Sequence, residues 1–249
     1  MTDAQVFFKG KNPGLPSPFF IIDFDDVLFP KKEIQADVTL NLAQATGGKD
    51  LFTAAYKEIR ARNNGFVDVK EVCREFREKH KLLFDPYDFF KDINLQPYAH
   101  QLQENQNFLT SLNKKGITFK IITQGNEDYQ RHKLEKSGIL AVIDPQTQLI
   151  ISAGDKVPVI LQEIKRLDPQ LNCVIADDKA EILERTKKSL EGQRNITTCK
   201  IGPWSKSEIE LYHNSSQIDF SLMHVNQMLG LLRNGVHEGK PPLENIARR

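Results

Sequence analysis

Short, uninterrupted apolar runs recur along the chain, and each is bounded by polar or acidic residues. The first is PFFIID at 18–23, followed by ITFKIIT at 117–123, QLIIS at 148–152, NCVIAD at 172–177, ITTCKI at 196–201 and QIDF at 217–220. Continuous rather than alternating apolarity is expected of strands buried on both faces of a parallel sheet. Helical patterns separate most of these runs. Val157, Ile160, Leu161 and Ile164, for example, fall at i, i+3, i+4 and i+7 and would cover one face of a sheet. Strand and helix in alternation predict βαβ units, and so an α/β fold with a doubly wound, mostly parallel Rossmann-like sheet.

Residues 30–100 interrupt the alternation, with helix signals and no convincing strand. Asp50 is placed to cap a helix in which Phe52, Ala55, Tyr56 and Ile59 share a face, and Asn63, Asn64 and Gly65 supply its stop. A second helix follows, with capping-box spacing at Asp68 and Glu71 and apolar residues at Val69, Val72, Cys73 and Phe76. FDPYDFF at 84–90 is aromatic and irregular, as suits a contact surface. Leu102, Leu109 and Leu112 then mark a core-facing helix that returns the chain to the second strand. The expected division is an α/β core made of 1–29 and 101–249, with an inserted α-helical cap domain at 30–100.

Composition narrows the classes further. The 249 residues carry 34 Lys+Arg against 33 Asp+Glu, a net +1, so bulk charge offers no argument for a nucleic-acid partner. No uncharged stretch is long and apolar enough for a membrane span. The first residues, MTDAQVFFKGKNPGLP, lack the basic start and apolar run of a signal peptide. Cys73, Cys173 and Cys199 have neither disulfide-framework nor zinc-site spacing, which fits a reducing, cytoplasmic setting. Nothing in the chain speaks to its oligomeric state.

The candidate chemistry lies where the apolar runs end. DFDD puts Asp23 and Asp25 at the carboxyl edge of the first strand, where open α/β sheets bind ligands. Two close carboxylates resist joint ionisation unless a cation such as Mg²⁺ holds one as the anion. In isolation, an acidic strand end facing water has the same sequence. The second strand ends in Thr123 and Gln124 before Gly125 and Asn126, a turn into a helix where a hydroxyl and free N–H groups can hold phosphate oxygens; Thr123 or Asn126 could equally be a simple cap. Lys156 precedes a helix after the third strand and could neutralise phosphate, or could be an ordinary surface lysine. The fourth strand ends in Asp177 and Asp178. Asp177 is the better metal candidate, because DKAE from Asp178 to Glu181 reads as a capping box for the next helix.

An acid pair, a Thr, a Lys and a second acid pair at four successive strand ends resemble the four motifs of the haloacid dehalogenase-like (HAD) superfamily. The resemblance spans the chain, and the place of the insertion is similar to that of the family's C1 cap. It implies a phosphoric monoester hydrolase that uses Mg²⁺. Asp23 would be the nucleophile forming an aspartyl-phosphate, and Asp25 the general acid/base. Thr123, Gln124 and Lys156 would bind phosphate. Mg²⁺ would be held by Asp23, the backbone carbonyl of Asp25, and Asp177, with Asp178 direct or through water. The second Asp favours a phosphatase over a dehalogenase, which needs no acid for an alkoxide. Val27 stands where Thr is common, Lys156 is followed by Val157 before Pro158, and ADD replaces the usual GD or GDD.

The implied substrate is a small phosphorylated metabolite, either a sugar phosphate or a nucleoside monophosphate. The alternatives are a phosphotransferase or phosphomutase of the same superfamily and, from another class, a non-catalytic phosphoacceptor or binding module. The order of the acids and the inserted helices argue against a receiver-type phosphoacceptor. Phe84, Phe89 and Phe90 are candidates for lining the substrate pocket. The six histidines show no metal-binding spacing.

Overall fold

The computed structural model describes residues 17–47, 50–63, 67–192, 195–203, 205–212 and 217–229, the side chains of 210–212 excepted. The predicted stop signals Asn64 and Gly65, the N-terminal stretch and residues 230–249 lie outside these. β1 (Phe19–Ile22) is followed by α1 (Lys31–Ala45), α2 (Phe52–Arg62), α3 (Val69–His80) and the short α4 (Asp88–Lys91), and a 3₁₀ turn then opens α5 (Ala99–Lys114). From there strands and helices alternate through β2 (Phe119–Gln124), α6 (Glu127–Lys136), α7 (Pro145–Gln148), β3 (Leu149–Ser152), α8 (Lys156–Lys165), β4 (Cys173–Asp177), α9 (Ala180–Ser189), β5 (Ile196–Ile201), α10 (Lys206–Tyr212) and β6 (Phe220–Leu222).

The six strands form one parallel sheet in the order β3-β2-β1-β4-β5-β6. Continuous apolar runs work here because both faces are covered. Phe20 and Ile22 point into a cluster with Phe119, Ile121, Val174 and Ala176, which α5 seals with Phe108, Leu109 and Leu112. Phe19 and Ile21 point the other way, against Val157, Ile160 and Ile164 of α8 and Leu183 of α9. Strand order reverses beside β1, so the crevice at the carboxyl ends of β1 and β4 is the topological switch point.

The segment between β1 and β2 is helical throughout its described elements. Its buried side chains, among them Val38, Leu42, Phe52, Val72 and Phe76, join the same cluster as α5 and one sheet face. Phe52 packs at 5.3 Å from Phe76 and 5.4 Å from Phe90. Asp50 accepts from the Thr53 N–H and Asp68 from the Lys70 N–H, as their cap roles require. The predicted capping box at α3 is only half formed. Glu71 turns to Arg62 and Asn63 instead, tying the end of α2 to the start of α3.

The sixth strand begins where the QIDF run ends. Asp219 explains the displacement: its carboxylate accepts from the Thr198 N–H at 2.8 Å and pairs with Lys187, while the Thr198 hydroxyl donates to the Gln217 carbonyl. The side chain takes the bond of the Thr198 N–H while the Asp219 N–H still donates to the Thr198 carbonyl at 3.2 Å, and regular pairing starts only at Phe220 with Cys199. Among the described residues no helix is long and apolar enough to cross a membrane.

Candidate active site at the carboxyl edge of the sheet

β1 and β4 are direct neighbours, so the residues that end them meet. Asp23, Asp177 and Asp178 are all buried and offer carboxylate oxygens within 4.8 Å of one another. Lys156, the first residue of α8, reaches between them, with its ammonium 2.6 Å from Asp23 Oδ2 and 2.6 Å from Asp177 Oδ2. Asp155 caps α8 through the Val157 N–H and so sets where Lys156 starts. The extra Val157 before Pro158 does not displace Lys156 from the acids. Asp23 Oδ1 accepts from the Phe24 N–H and Asp177 Oδ1 from the Lys179 N–H, which orients both groups.

Asp178 does not act as the helix cap that the DKAE spacing suggests. α9 starts after Lys179 without a side-chain cap, and its Ala180 N–H donates instead to Glu208. Asp178 is thereby left to the cluster, with Lys32 3.0 Å from its Oδ2. The same lysine lies 3.4 Å from Asp26, a residue held at φ 61° whose carboxylate also accepts the Lys32 N–H. That left-handed turn curls the chain between β1 and α1.

Asp25 stands apart from this group. Its carboxylate meets Lys133 of α6, Lys31 of α1 at 3.2 Å and the Gln130 amide at 3.2 Å. Gln130 also donates to the Gln124 carbonyl at 2.8 Å. Gly125 makes this reach possible: at φ +154° it is open to glycine, and any Cβ would sit 2.5 Å from Gln130 Nε2. Asn126 caps α6, as one reading of the sequence allowed. Thr123 does not cap anything; its hydroxyl is fully buried in β2 and has no hydrogen-bond partner among the described residues.

The electrostatics of the two halves differ. Burial raises the Asp23 carboxyl to about 7, against the pull of Lys156, and the charges of Asp177 and Asp178 push the same way as burial. Burial opposes ionisation of Asp25 as well, but Lys133 and Lys31 outweigh it and hold that carboxyl well below the usual range. Lys133 is itself fully buried, and burial brings its ammonium down to about 8 despite Asp25. Burial works against Lys156 too, yet Asp177 and Asp23 keep it well above an ordinary lysine.

The catalytic, metal and phosphate candidates are thus at one sheet edge: Asp23, Asp177 and Asp178 converge with Lys156 on the first two, Thr123 and Gln124 are on the neighbouring strand, and Asp25 is turned towards α6. Lys31, Lys32, Gln130 and Lys133 were missed. Helical spacing held a signal for two of them, since Gln130, Lys133 and Leu134 fall at i, i+3 and i+4 and all are buried. Of the three phenylalanines, Phe90 lines a small pocket beside Asp25, whereas Phe89 lines a separate cleft of about 390 Å³ against α1. Phe84 packs on Phe89 at 5.8 Å. No described histidine lines the pocket beside Asp25.

A divalent ion fits the donor set. Asp23, Asp177 and Asp178 supply only hard oxygens, buried and convergent, and each carboxylate oxygen keeps lone pairs beyond those already engaged.

The fold can be compared with known proteins on this basis. No protein-family model matches the chain, and no curated protein does. Solved structures match over nearly its whole length. A protein of Burkholderia xenovorans LB400 assigned as a haloacid dehalogenase-like hydrolase is 18% identical, aligns over 86% of this chain and 96% of its own, and gives a TM-score of 0.64. A dehalogenase solved as an intermediate complex is 16% identical over 89% of this chain and all (100%) of its own, at 0.56. A HAD-hydrolase of Bacillus subtilis, bound to magnesium, is 15% identical over 87% and 98%, at 0.51. At such identities the likeness is one of fold: the chain has the Rossmann-like α/β fold of the HAD-like hydrolases.

Proposed function

We propose that the protein is a Mg²⁺-dependent phosphomonoesterase acting on a small phosphorylated metabolite, with residues 30–100 as a cap over the site. The observation that carries this reading is the meeting of Asp23, Asp177 and Asp178 with Lys156 at the switch point of the sheet. Asp23 is the nucleophile. A carboxylate oxygen forms a bond to phosphorus as the ester P–O bond breaks, and water then displaces Asp23 from the aspartyl-phosphate. The Thr123 hydroxyl, buried without a partner, donates to a phosphoryl oxygen, and Lys156 neutralises charge on the same group. Gln124 borders the pocket where the rest of the substrate lies. Asp23, Asp177 and Asp178, with the Asp25 carbonyl, would hold Mg²⁺, which when bound offsets the repulsion between carboxylate and phosphate.

Asp25 is held as an anion, the form that takes the proton of the attacking water. Donating a proton to the leaving oxygen requires that it gain one while substrate is bound. That requirement is the one observation favouring a second reading, displacement at a carbon–halogen bond, which needs no such donor. Transfer to an acceptor hydroxyl in place of water is the third.

Hydrolysis of p-nitrophenyl phosphate, with and without EDTA, by the wild type and Asp23→Asn tests the main reading. It expects a Mg²⁺-dependent rate that Asp23→Asn abolishes; equal rates for the two proteins would remove Asp23 as nucleophile. Chloride release from 2-chloropropionate in EDTA would establish the second reading, and phosphoryl transfer to added glycerol the third. A cytoplasmic setting, with no nucleic-acid or membrane partner, completes the proposal.

A further inference from the structure

The pocket beside Asp25 is closed by the turn after β1, the start of α1, the helical insertion and the β2–α6 turn. Its free space is about 40 Å³. A single water needs roughly 10 to 15 Å³ on this measure, so the space favours a short leaving group. Asp25 is the sole carboxylate among its lining residues, yet two ammoniums, those of Lys31 and Lys133, converge on it. The Lys133 side chain is 1% exposed, and its ammonium lies 5.4 Å, 5.4 Å and 5.1 Å from the ring centres of Phe24, Phe29 and Tyr129. One lining carboxylate therefore faces two cations, Lys133 buried and Lys31 partly exposed, and positive charge is in excess at this wall of the pocket.

Gln130 adds a second, independent feature. Its amide nitrogen is committed to Asp25 and to the Gln124 carbonyl, an arrangement that fixes which end is which, because a flipped amide would set oxygen against the carboxylate. Its Oε1 is then a buried acceptor without a donor among the described residues, on a side chain only 3% exposed that lines the pocket. The pocket therefore presents two cations and one hydrogen-bond acceptor to whatever sits beyond the phosphoryl group.

We infer that the leaving portion of the substrate is a hydroxy acid of two or three carbons, its carboxylate bound by Lys31 and Lys133 and a hydroxyl donating to Gln130 Oε1. The inference rests on the phosphomonoesterase reading and narrows it to esters whose leaving group is short and carries a carboxylate. In binding, the two ammoniums share themselves between Asp25 and the substrate carboxylate. Val67, Val69 and Phe90 line the pocket from the insertion and give it an apolar wall opposite the polar groups.

The test compares kcat/KM for 3-phosphoglycerate and for glycerol 3-phosphate, which share a three-carbon frame and differ in the carboxylate. A preference of at least about tenfold for the acid is expected. Lys31 is the residue to vary, because it is partly exposed and its loss need not unfold the protein. Lys31→Met is expected to narrow the preference below about threefold, and Lys31→Arg to keep it. Equal rates on the two esters, or a preference that Lys31→Met leaves untouched, would overturn the inference while Asp23-dependent turnover of p-nitrophenyl phosphate kept the phosphatase reading. Turnover of the aryl ester alone would overturn it as well. No turnover of any ester would remove both.

Discussion

Asp23→Asn removes the proposed nucleophile and also the most heavily penalised charge in the site, so it reports on stability and on activity separately. Burial lifts the Asp23 carboxyl from 3.8 to about 7. In the unfolded chain the same group titrates near 3.9. Between these two values the native state holds a proton that the unfolded chain has released, so this contribution to stability is full below about pH 4 and is lost as pH rises through 7. At about 1.4 kcal/mol per pH unit, moving from pH 5 to pH 8 removes about 3 kcal/mol through this one group. Asparagine does not titrate and the variant lacks this loss. For a chain of this size 1 kcal/mol corresponds to roughly 2 to 4 °C of Tm. Thermal melts in EDTA should therefore show the wild type falling between pH 5 and pH 8 by roughly 6 to 12 °C more than Asp23→Asn, the other groups titrating in both. Saturating Mg²⁺ should restore the wild type at pH 8 and do much less for the variant. If both proteins lost the same stability between the two pH values in EDTA, the charge balance assigned to the acid cluster would be wrong.

Three further changes probe the remaining parts. Lys133→Met leaves the buried Asp25 with Lys31 alone and should cost about 3 to 5 kcal/mol in urea unfolding, while Lys133→Met with Asp25→Asn should recover at least half of that; a double variant no better than the single would refute the pairing. Asp178→Asn should weaken Mg²⁺ binding at least about tenfold, read by calorimetry or by the Mg²⁺ dependence of Tm, and an unchanged affinity would leave only Asp23 and Asp177 as ligands. Thr123→Val removes a buried hydroxyl with no partner and should leave stability unchanged or raise it by about 1 kcal/mol, while weakening vanadate binding; loss of stability would show that the hydroxyl has a structural partner.

Most of the sheet was legible because its strands are buried on both faces, which prints continuous apolar runs. β6 was not placed correctly, since the Asp219 carboxylate takes the Thr198 N–H and regular pairing begins only at Phe220. α1 left little trace for a different reason. Its buried residues, Ile34, Val38 and Leu42, come once per turn, and Pro30 at its start provides no side-chain cap. A stripe one residue wide is too narrow to stand out from the exposed positions beside it. α2 and α3 bury wider faces and were recognisable.

The site divides along the same line between what strands and helices disclose. Asp23, Thr123 and Asp177 end or follow strands, and a parallel sheet brings all such ends to one edge, so their order in the sequence was enough to assemble them. The cations that were missed, Lys31, Lys32 and Lys133, come from helices, where position along the chain says little about direction. Lys133 lies in HKLEK, which reads as solvated surface, and is buried only because α6 turns Gln130, Lys133 and Leu134 inward together. The consequence is an asymmetry that the net charge of +1 conceals. Around Asp23, three carboxylates converge, two of them sharing Lys156 and Asp178 meeting Lys32, and the surplus of acid calls for a cation. Around Asp25, two lysines share one carboxylate, and the surplus of base calls for an anion. A phosphate ester bearing a carboxylate satisfies both demands at once, provided a divalent ion accompanies its phosphoryl end. Either half alone would tolerate many ligands, whereas the pair, set a few residues apart on one turn, selects for charge at both ends of a short molecule.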